Sequence, residues 1–291
     1  MSPPAFRSGE TLADVLRGIR TALPRLELRM LVQHVMQLSH VQLLTQSERT
    51  LTDEEAAHLN ELVARRIAGE PVAYLIGERE FFGLPFAVNA SVLIPRPETE
   101  LLVELAVERL PQGGHALDMG TGSGAIAVAI AHTRPDASVA ALDISEEALG
   151  VARHNADRNR CTVRFRRSDW FSALQADERF DLIVSNPPYI VAGDTHLSAG
   201  DLRFEPVDAL TDHADGLSAL RTLCRHASTY LQPNGWLLME HGYDQSAAVR
   251  QLLMQAGFED VQSWQDLAGI ERVCGGRKAM RQATQYAMKT R

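Results

Sequence analysis

From Pro97 onward, short apolar runs alternate with amphipathic stretches of helical period, and this alternation most narrows the folds open to the chain. It reads as strand–helix–strand units whose strands lie parallel and are covered by helices on both faces. HALDMG, SVAALDI, TVRFRRS and FDLIVSN read as the first four strands, and WLLMEHG, DVQSWQDL and RVCGGR as three more. PETELLVELAVERL, AIAVAIAHT, SEEALGVARHNADR, GLSALRTLCRHASTYL and SAAVRQLLMQAG read as the helices between them. The expected fold class is α/β, with a seven-stranded, mostly parallel sheet.

Residues 8–70 follow a different rule. Leu12, Val15, Leu16 and Ile19 recur at helical spacing, as do Leu28, Leu31, Val32 and Val35. Thr52 followed three residues later by Glu55 spells a capping box, and Gly69 closes the helix it opens. The following stretch, GEPVAYLIGEREFFGLPFAVNASVLIP, places Gly and Pro between short apolar and aromatic runs, as a connector and hairpin would. The expected layout is a helical bundle over 1–72, a hairpin-containing linker over 73–96 and the sheet domain over 97–291, with a peripheral tail after Lys278.

Composition removes several function classes. A formal charge of −8 argues against a surface built to neutralise many phosphates. Three widely separated cysteines give neither a disulfide framework nor a zinc ribbon, so a reducing cytoplasm is expected. No run approaches the roughly 18 apolar residues of a membrane span, and MSPPAFRSGETLADVL lacks the pattern of a secretion leader. The ten histidines show no metal-ligand spacing.

LDMGTGSGAIAVAI joins the first strand to its helix, and Asp143 closes the second strand 23 residues after Gly120. Glycines here permit a tight turn and close approach of a ligand to the backbone at a helix N-terminus. Two cofactors fit that pattern. Gly120, Gly122 and Ala125 satisfy the dinucleotide spacing, with Asp143 as the ribose acid. S-adenosylmethionine has a ribose and adenine but no pyrophosphate, and its cationic groups favour acidic neighbours. Asp118 is placed for its ammonium, Asp143 for its ribose hydroxyls, Asp169 for the adenine amine and Trp170 for the adenine face. Capping roles for Asp118 and Asp143, and a core role for Trp170, are the plainer alternatives. Together, at the carboxyl ends of strands one to three, these residues favour the adenosyl ligand.

The fourth strand runs into Asn186, Pro187, Pro188 and Tyr189. Two prolines lock two φ angles and remove two donors, and Asn186 is pushed toward extended geometry by the proline after it. The result is a stiff corner rich in acceptors at the same sheet edge. The Asn186 side-chain oxygen and the Pro187 carbonyl can each accept one N–H of an NH₂ group, and Tyr189 can stack on a flat acceptor. A carboxylate offers no N–H and would leave buried acceptors unpaired at about 1–3 kcal/mol each.

GTGSG, Asp143 and NPPY together resemble class I S-adenosylmethionine methyltransferases with a Rossmann-like fold that modify planar amino groups. That group includes adenine-amine DNA methyltransferases and glutamine-amide protein methyltransferases. SVLIPRPETELLVE, residues 91–104, is similar to a segment of the HemK family, the protein-(glutamine-N5) methyltransferases acting on the Gly-Gly-Gln loop of class I peptide chain release factors. Sister enzymes acting on a ribosomal protein differ around PRPETE. The similarity extends through PVAYLIGEREFFGLPF, RFEPVDAL and DLAGIERV.

The resemblance implies that Gly120, Thr121, Gly122, Ser123, Gly124 and Asp143 hold the cofactor, bordered by Trp170 and Asn186. It implies that Asn186 to Tyr189 bind the glutamine, that Arg96, Glu98 and Thr99 shape the mouth of the site, and that Glu205 and Pro206 lie in a covering loop. It further implies a cytoplasmic monomer whose helical N-terminal domain grips the release factor, with no stable nucleic-acid partner, no membrane and no metal. His213 departs from the small residue common in relatives and is not expected to act as a base. A nucleotide-dependent oxidoreductase, an adenine-amine DNA or RNA methyltransferase, a glutamine methyltransferase acting on a ribosomal protein and a non-enzymatic ribosome-associated module are the rival readings.

Overall fold

The computed structural model describes residues 6–17, 22–198 and 200–280. Ile19 and the tail from 281 onward lie outside these residues. The described chain forms two compact units, one reaching to Glu78 and including Ser198–Phe204, the other made of the remainder.

The first unit is helical: α1 (Leu12–Leu16), α2 (Arg25–Met36), α3 (His40–Thr45), α4 (Asp53–Ile67) and α5 (Val72–Ile76). Thr52 caps α4 by accepting from the Glu55 N–H while the Glu55 carboxylate accepts from the Thr52 N–H, so two orphan donors are satisfied reciprocally. Leu12, Val15, Leu28, Leu31 and Val32 are buried together with Leu59, Leu62 and Val63 of α4, while Leu16 and Val35 pack at the margin. VAYLI, expected as connector, forms α5 instead. Pro71 opens the turn, Val72 and Leu75 join the helical core, and Gly77 ends it at φ +74°. Arg66 holds Ser198–Phe204 within this unit, donating to Asp201 at 2.9 Å and to Glu27 at 2.7 Å.

The second unit opens with a hairpin of β1 (Glu78–Phe81) and β2 (Leu84–Ala87), whose two-residue turn takes positive φ at both Phe82 and Gly83. The sheet follows, with helices α6 (Glu100–Arg109), α7 (Ala125–Thr133), α8 (Glu146–Arg158), α9 (Val207–Leu210), α10 (Ser218–Tyr230) and α11 (Ser246–Gln255). Its strands are β3 (His115–Met119), β4 (Ser138–Asp143), β5 (Val163–Arg167), β6 (Phe180–Ser185), β7 (Leu231–Glu240), β8 (Phe258–Gln265) and β9 (Glu271–Lys278). They lie in the order β5-β4-β3-β6-β7-β9-β8, with β9 antiparallel to both of its neighbours and the other pairs parallel.

Alternate residues of the central strands feed two cores. Ala116, Leu182 and Val184 face one layer of helices, and Leu117, Met119 and Ile183 face the other. Because β3 is flanked by β4 on one side and β6 on the other, the order reverses at β3, and a crevice opens at the carboxyl ends there. The glycine turn leaves β3 and the proline corner leaves β6 at that crevice. No described helix is long and apolar enough to cross a membrane.

Candidate active site

A cavity of about 670 Å³ occupies the crevice. Gly120, Thr121, Gly122, Ser123, Asp143, Asp169, Trp170, Asn186 and Pro188 form part of its wall. Asp118, Gly124, Pro187 and Tyr189 do not; they stand in the structure that supports it.

The turn after β3 takes φ of +72°, +54° and +82° at Gly120, Gly122 and Gly124, a region that side chains rarely enter. Four of its N–H groups already have protein acceptors. Gly120 and Thr121 both donate to the Leu142 carbonyl at 2.9 Å, Gly124 donates to the Thr121 carbonyl at 2.8 Å, and Gly122 donates to Asp143 Oδ2 at 2.8 Å. A pyrophosphate would need such donors free. A Cβ added at Gly120 or Gly122 would meet nothing within 4 Å, whereas at Gly124 it would lie 3.0 Å from Ala152. The first two glycines therefore keep room for a ligand, and the third lets α7 approach α8.

The acids respond to their burial. Asp118 is wholly buried under the turn, and its carboxyl is pushed up to about 7, chiefly by burial and further by Asp143, against the pulls of Thr121 and the Ala127 backbone N–H. Oδ2 accepts from the Thr121 hydroxyl at 2.6 Å, while Oδ1 is buried without a partner. Burial also raises Asp143, against the backbone N–H groups of Ser145 and Gly122 that it accepts. Each oxygen already holds one donor, and a carboxylate oxygen can accept a second. Asp143, Glu147, Asp169, Asp208 and Asp212 line the wall against Arg96 and His213, so the wall carries more acids than bases.

Ser168 stiffens the next loop, with its hydroxyl donating to the Trp170 carbonyl and accepting from the Ala173 N–H. Trp170 is held at φ +46°, a conformation costly for a bulky residue, which turns the half-buried indole between the second core and the cavity. Asp169 beside it is exposed.

At the proline corner, Asn186 Nδ2 donates to the Thr99 hydroxyl at 3.3 Å, tying down the donor end of the amide. Tyr189 donates its hydroxyl to Glu240 Oε1 at 3.1 Å and packs against the second core; burial and Glu240 both raise its pKa. Opposite, Glu205 is buried and accepts from the Ile94 N–H and from Arg96. That anchors the loop whose Pro206, Asp208, Ala209, Thr211, Asp212 and His213 line the cavity. His213 is exposed and paired with Asp208 at 2.7 Å.

Motif reasoning passes over three residues that the structure makes central. Asn155 is wholly buried, accepting from the Ala87 N–H and donating to the carbonyls of Ala87 and Ser123, so it braces the glycine turn against β2. Its only signal in sequence is an amide on the apolar face of α8. Asp212 accepts from the Ala214, Gly216 and Ser218 N–H groups and shapes the loop before α10. Glu240 is buried at the end of β7. Among the described residues no group of three or more His, Cys, Asp or Glu is arranged to hold a metal ion.

A family profile described as the methyltransferase small domain matches residues 97–205, and one described as the PrmC N-terminal domain matches residues 10–77. The release factor glutamine methyltransferase of Neisseria gonorrhoeae is 53% identical over 256 residues, covering 88% of this chain and 94% of its own. That of Bordetella pertussis is 54% identical over 257 residues, covering 87% and 95%. A methyltransferase structure from Pyrococcus furiosus superposes with a TM-score of 0.53 at 21% identity, covering 75% of this chain and 98% of its own, a likeness of fold.

Proposed function

The chain belongs to the release factor glutamine methyltransferase family, and from that membership we propose that it transfers a methyl group from S-adenosylmethionine to the side-chain amide nitrogen of the glutamine in the Gly-Gly-Gln motif of class I peptide chain release factors. The observation that carries the acceptor is the Asn186 amide, held at its NH₂ by Thr99 so that its oxygen is the end left for an incoming N–H.

The residues present suit the cofactor. Open room at Gly120 and Gly122 and a wall richer in acids than bases favour a cationic adenosyl ligand over a pyrophosphate. When bound, S-adenosylmethionine supplies an electrophilic methyl carbon on a sulfonium. Asp143 takes the ribose hydroxyls, Asp118 attracts the ammonium from beneath the turn, and Asp169 and Trp170 receive the adenine. Thr121 and Ser123 present the rest of the turn, and Gly124 seats α7 behind it.

The Asn186 oxygen and the Pro187 carbonyl accept the two N–H groups of the glutamine amide. They orient a nitrogen whose lone pair is otherwise shared with its carbonyl, and stabilise the positive charge that grows on it. Pro188 keeps the corner stiff, and Tyr189, which was expected to stack on the flat amide, instead stands behind the cavity wall and anchors the corner to Glu240. The surplus nitrogen proton passes to water, so no titrating base is assigned. In this proposal residues 1–72 choose the release factor, 73–96 form the link and 97–291 carry the chemistry, in a cytoplasmic monomer without stable nucleic-acid contacts.

Mass spectrometry of a release factor incubated with enzyme and cofactor is expected to show one added methyl on that glutamine. DNA and RNA offered in parallel are expected to stay unmodified; methylated nucleic acid beside an untouched release factor overturns the assignment.

The raised Asp118 carboxyl predicts proton-linked cofactor binding. Below about 7 the empty site holds the proton, and a bound cation favours the charged form and expels it. Affinity should therefore rise with pH up to about 7 and then level off. Calorimetry in buffers of different ionisation enthalpy should detect proton release on the acid side only. Proton uptake there would refute the role given to Asp118.

A further inference from the structure

Pro187 and Pro188 stiffen the corner but have no N–H, so their own backbone brings no donor to tie it to the sheet. Gln245, the residue before α11, brings one from outside. Its Nε2 donates to the Tyr189 carbonyl at 2.9 Å and to the Gly216 carbonyl at 3.2 Å, and its Oε1 accepts from the Gly242 N–H at 2.8 Å. The amide thus uses both of its N–H groups and one lone pair. Its main chain is rooted in turn, donating to the Gly242 carbonyl and accepting from the Val249 N–H, both at 3.0 Å. Glu240, at the end of β7, accepts the Tyr189 hydroxyl at 3.1 Å. The segment leaving β7 therefore holds Tyr189 by its ring and by its backbone.

Gly216 makes the shared grip possible. It sits at φ +76°, and a Cβ there would lie 2.5 Å from the Tyr189 oxygen and 2.8 Å from Gln245 Nε2, so glycine is what lets the two carbonyls converge on one NH₂. The segments that carry them run side by side, Ile190 donating to the Leu210 carbonyl and Ala192 to the Ala214 carbonyl, both at 2.9 Å. One segment continues directly from Asn186 and Pro187; the other lines the cavity with Thr211, Asp212 and His213. Two carbonyl dipoles aimed at one point repel unless a donor stands between them, so losing the NH₂ drives the corner and this loop apart.

We propose that Gln245 is a positioning residue: by holding the Tyr189 and Gly216 carbonyls with one NH₂, it joins the proline corner to the cavity-lining loop and fixes the direction in which the Asn186 and Pro187 oxygens meet the substrate amide. This rests on the glutamine-methylation reading.

The test compares Gln245→Glu, Gln245→Met and Leu253→Val on a release factor, with kcat, KM, cofactor Kd and melting temperature measured separately. Glutamate keeps the shape of Gln245 but turns an oxygen on two carbonyls, and methionine keeps its length but donates nothing. Each should lower kcat roughly five- to fiftyfold, with cofactor Kd changed by less than about twofold, because misaligned acceptors are felt chiefly in the transition state. Leu253 is wholly buried on the same helix, so Leu253→Val should lower the melting temperature to a similar degree yet leave kcat within about twofold. Acidification should return part of the Gln245→Glu loss relative to wild type, since a protonated carboxyl regains one donor. If Gln245→Glu fails to fold, Gln245→Met carries the test. A wild-type kcat in Gln245→Met, or an equal loss of kcat in Leu253→Val, overturns the proposal. An unmodified release factor with the wild-type enzyme instead overturns the reading beneath it.

Discussion

Replacing Asn186 with alanine is expected to lower kcat by roughly a hundred- to a thousandfold while cofactor affinity changes by less than about twofold. The asymmetry follows from where the amide sits. Its NH₂ is held by Thr99 at 3.3 Å, so the oxygen is the group available for the acceptor nitrogen. That oxygen matters most when the nitrogen has begun to bond to carbon and to gain positive charge, so its loss is felt more in the transition state than in either ground state. Removing a preorganised dipole from a partly enclosed site has a large effect because little rearrangement of water can replace it. Steady-state kinetics on a release factor, beside calorimetry of the cofactor alone, measures the split. Equal losses in kcat and in cofactor binding would assign Asn186 to cofactor binding and remove it from the chemistry.

Gly122→Ala and Gly124→Ala should fail in opposite ways although the glycines are two residues apart. Both positions have positive φ, so each alanine costs about 1–2 kcal/mol in backbone strain. Beyond that, the Gly122 methyl would enter open cavity and meet nothing within 4 Å. The variant should fold and melt only slightly early, yet bind S-adenosylmethionine roughly ten- to hundredfold more weakly, because the methyl occupies space the ligand needs. The Gly124 methyl would lie 3.0 Å from Ala152 of α8. Overpacking adds about 1–3 kcal/mol to the strain, so this variant should lose stability first, as a lower urea midpoint. A Gly122→Ala enzyme with wild-type cofactor affinity would move the ligand off the glycine turn.

Much of the architecture was legible because it rests on local rules. Period-2 and period-3.6 patterns named the strands and helices of the second unit, and Thr52 with Glu55 named the start of α4. α5 was missed because five residues are too few for a period, and only the burial of Val72 and Leu75 reveals why they coil. In the candidate site, the glycine turn, Asp143, the Ser168–Trp170 loop and Asn186 could be read directly, since glycine and proline announce their backbone geometry in one or two letters. Asn155 and Glu240 could not be read. Each is a single polar residue inside an otherwise ordinary helix or strand, and its partners are 68 and 51 residues away along the chain.

The sequence by itself determined the layers and the two loops that meet at the crevice. These depend on dihedral restrictions and periodicity that act within a few residues. The tertiary structure alone decided that Thr99 meets Asn186 across 87 positions and that Tyr189 meets Glu240 across 51. Strand order creates those meetings, and it is set by the joint burial of two apolar faces across the whole sheet, a sum over distant residues that no local window contains.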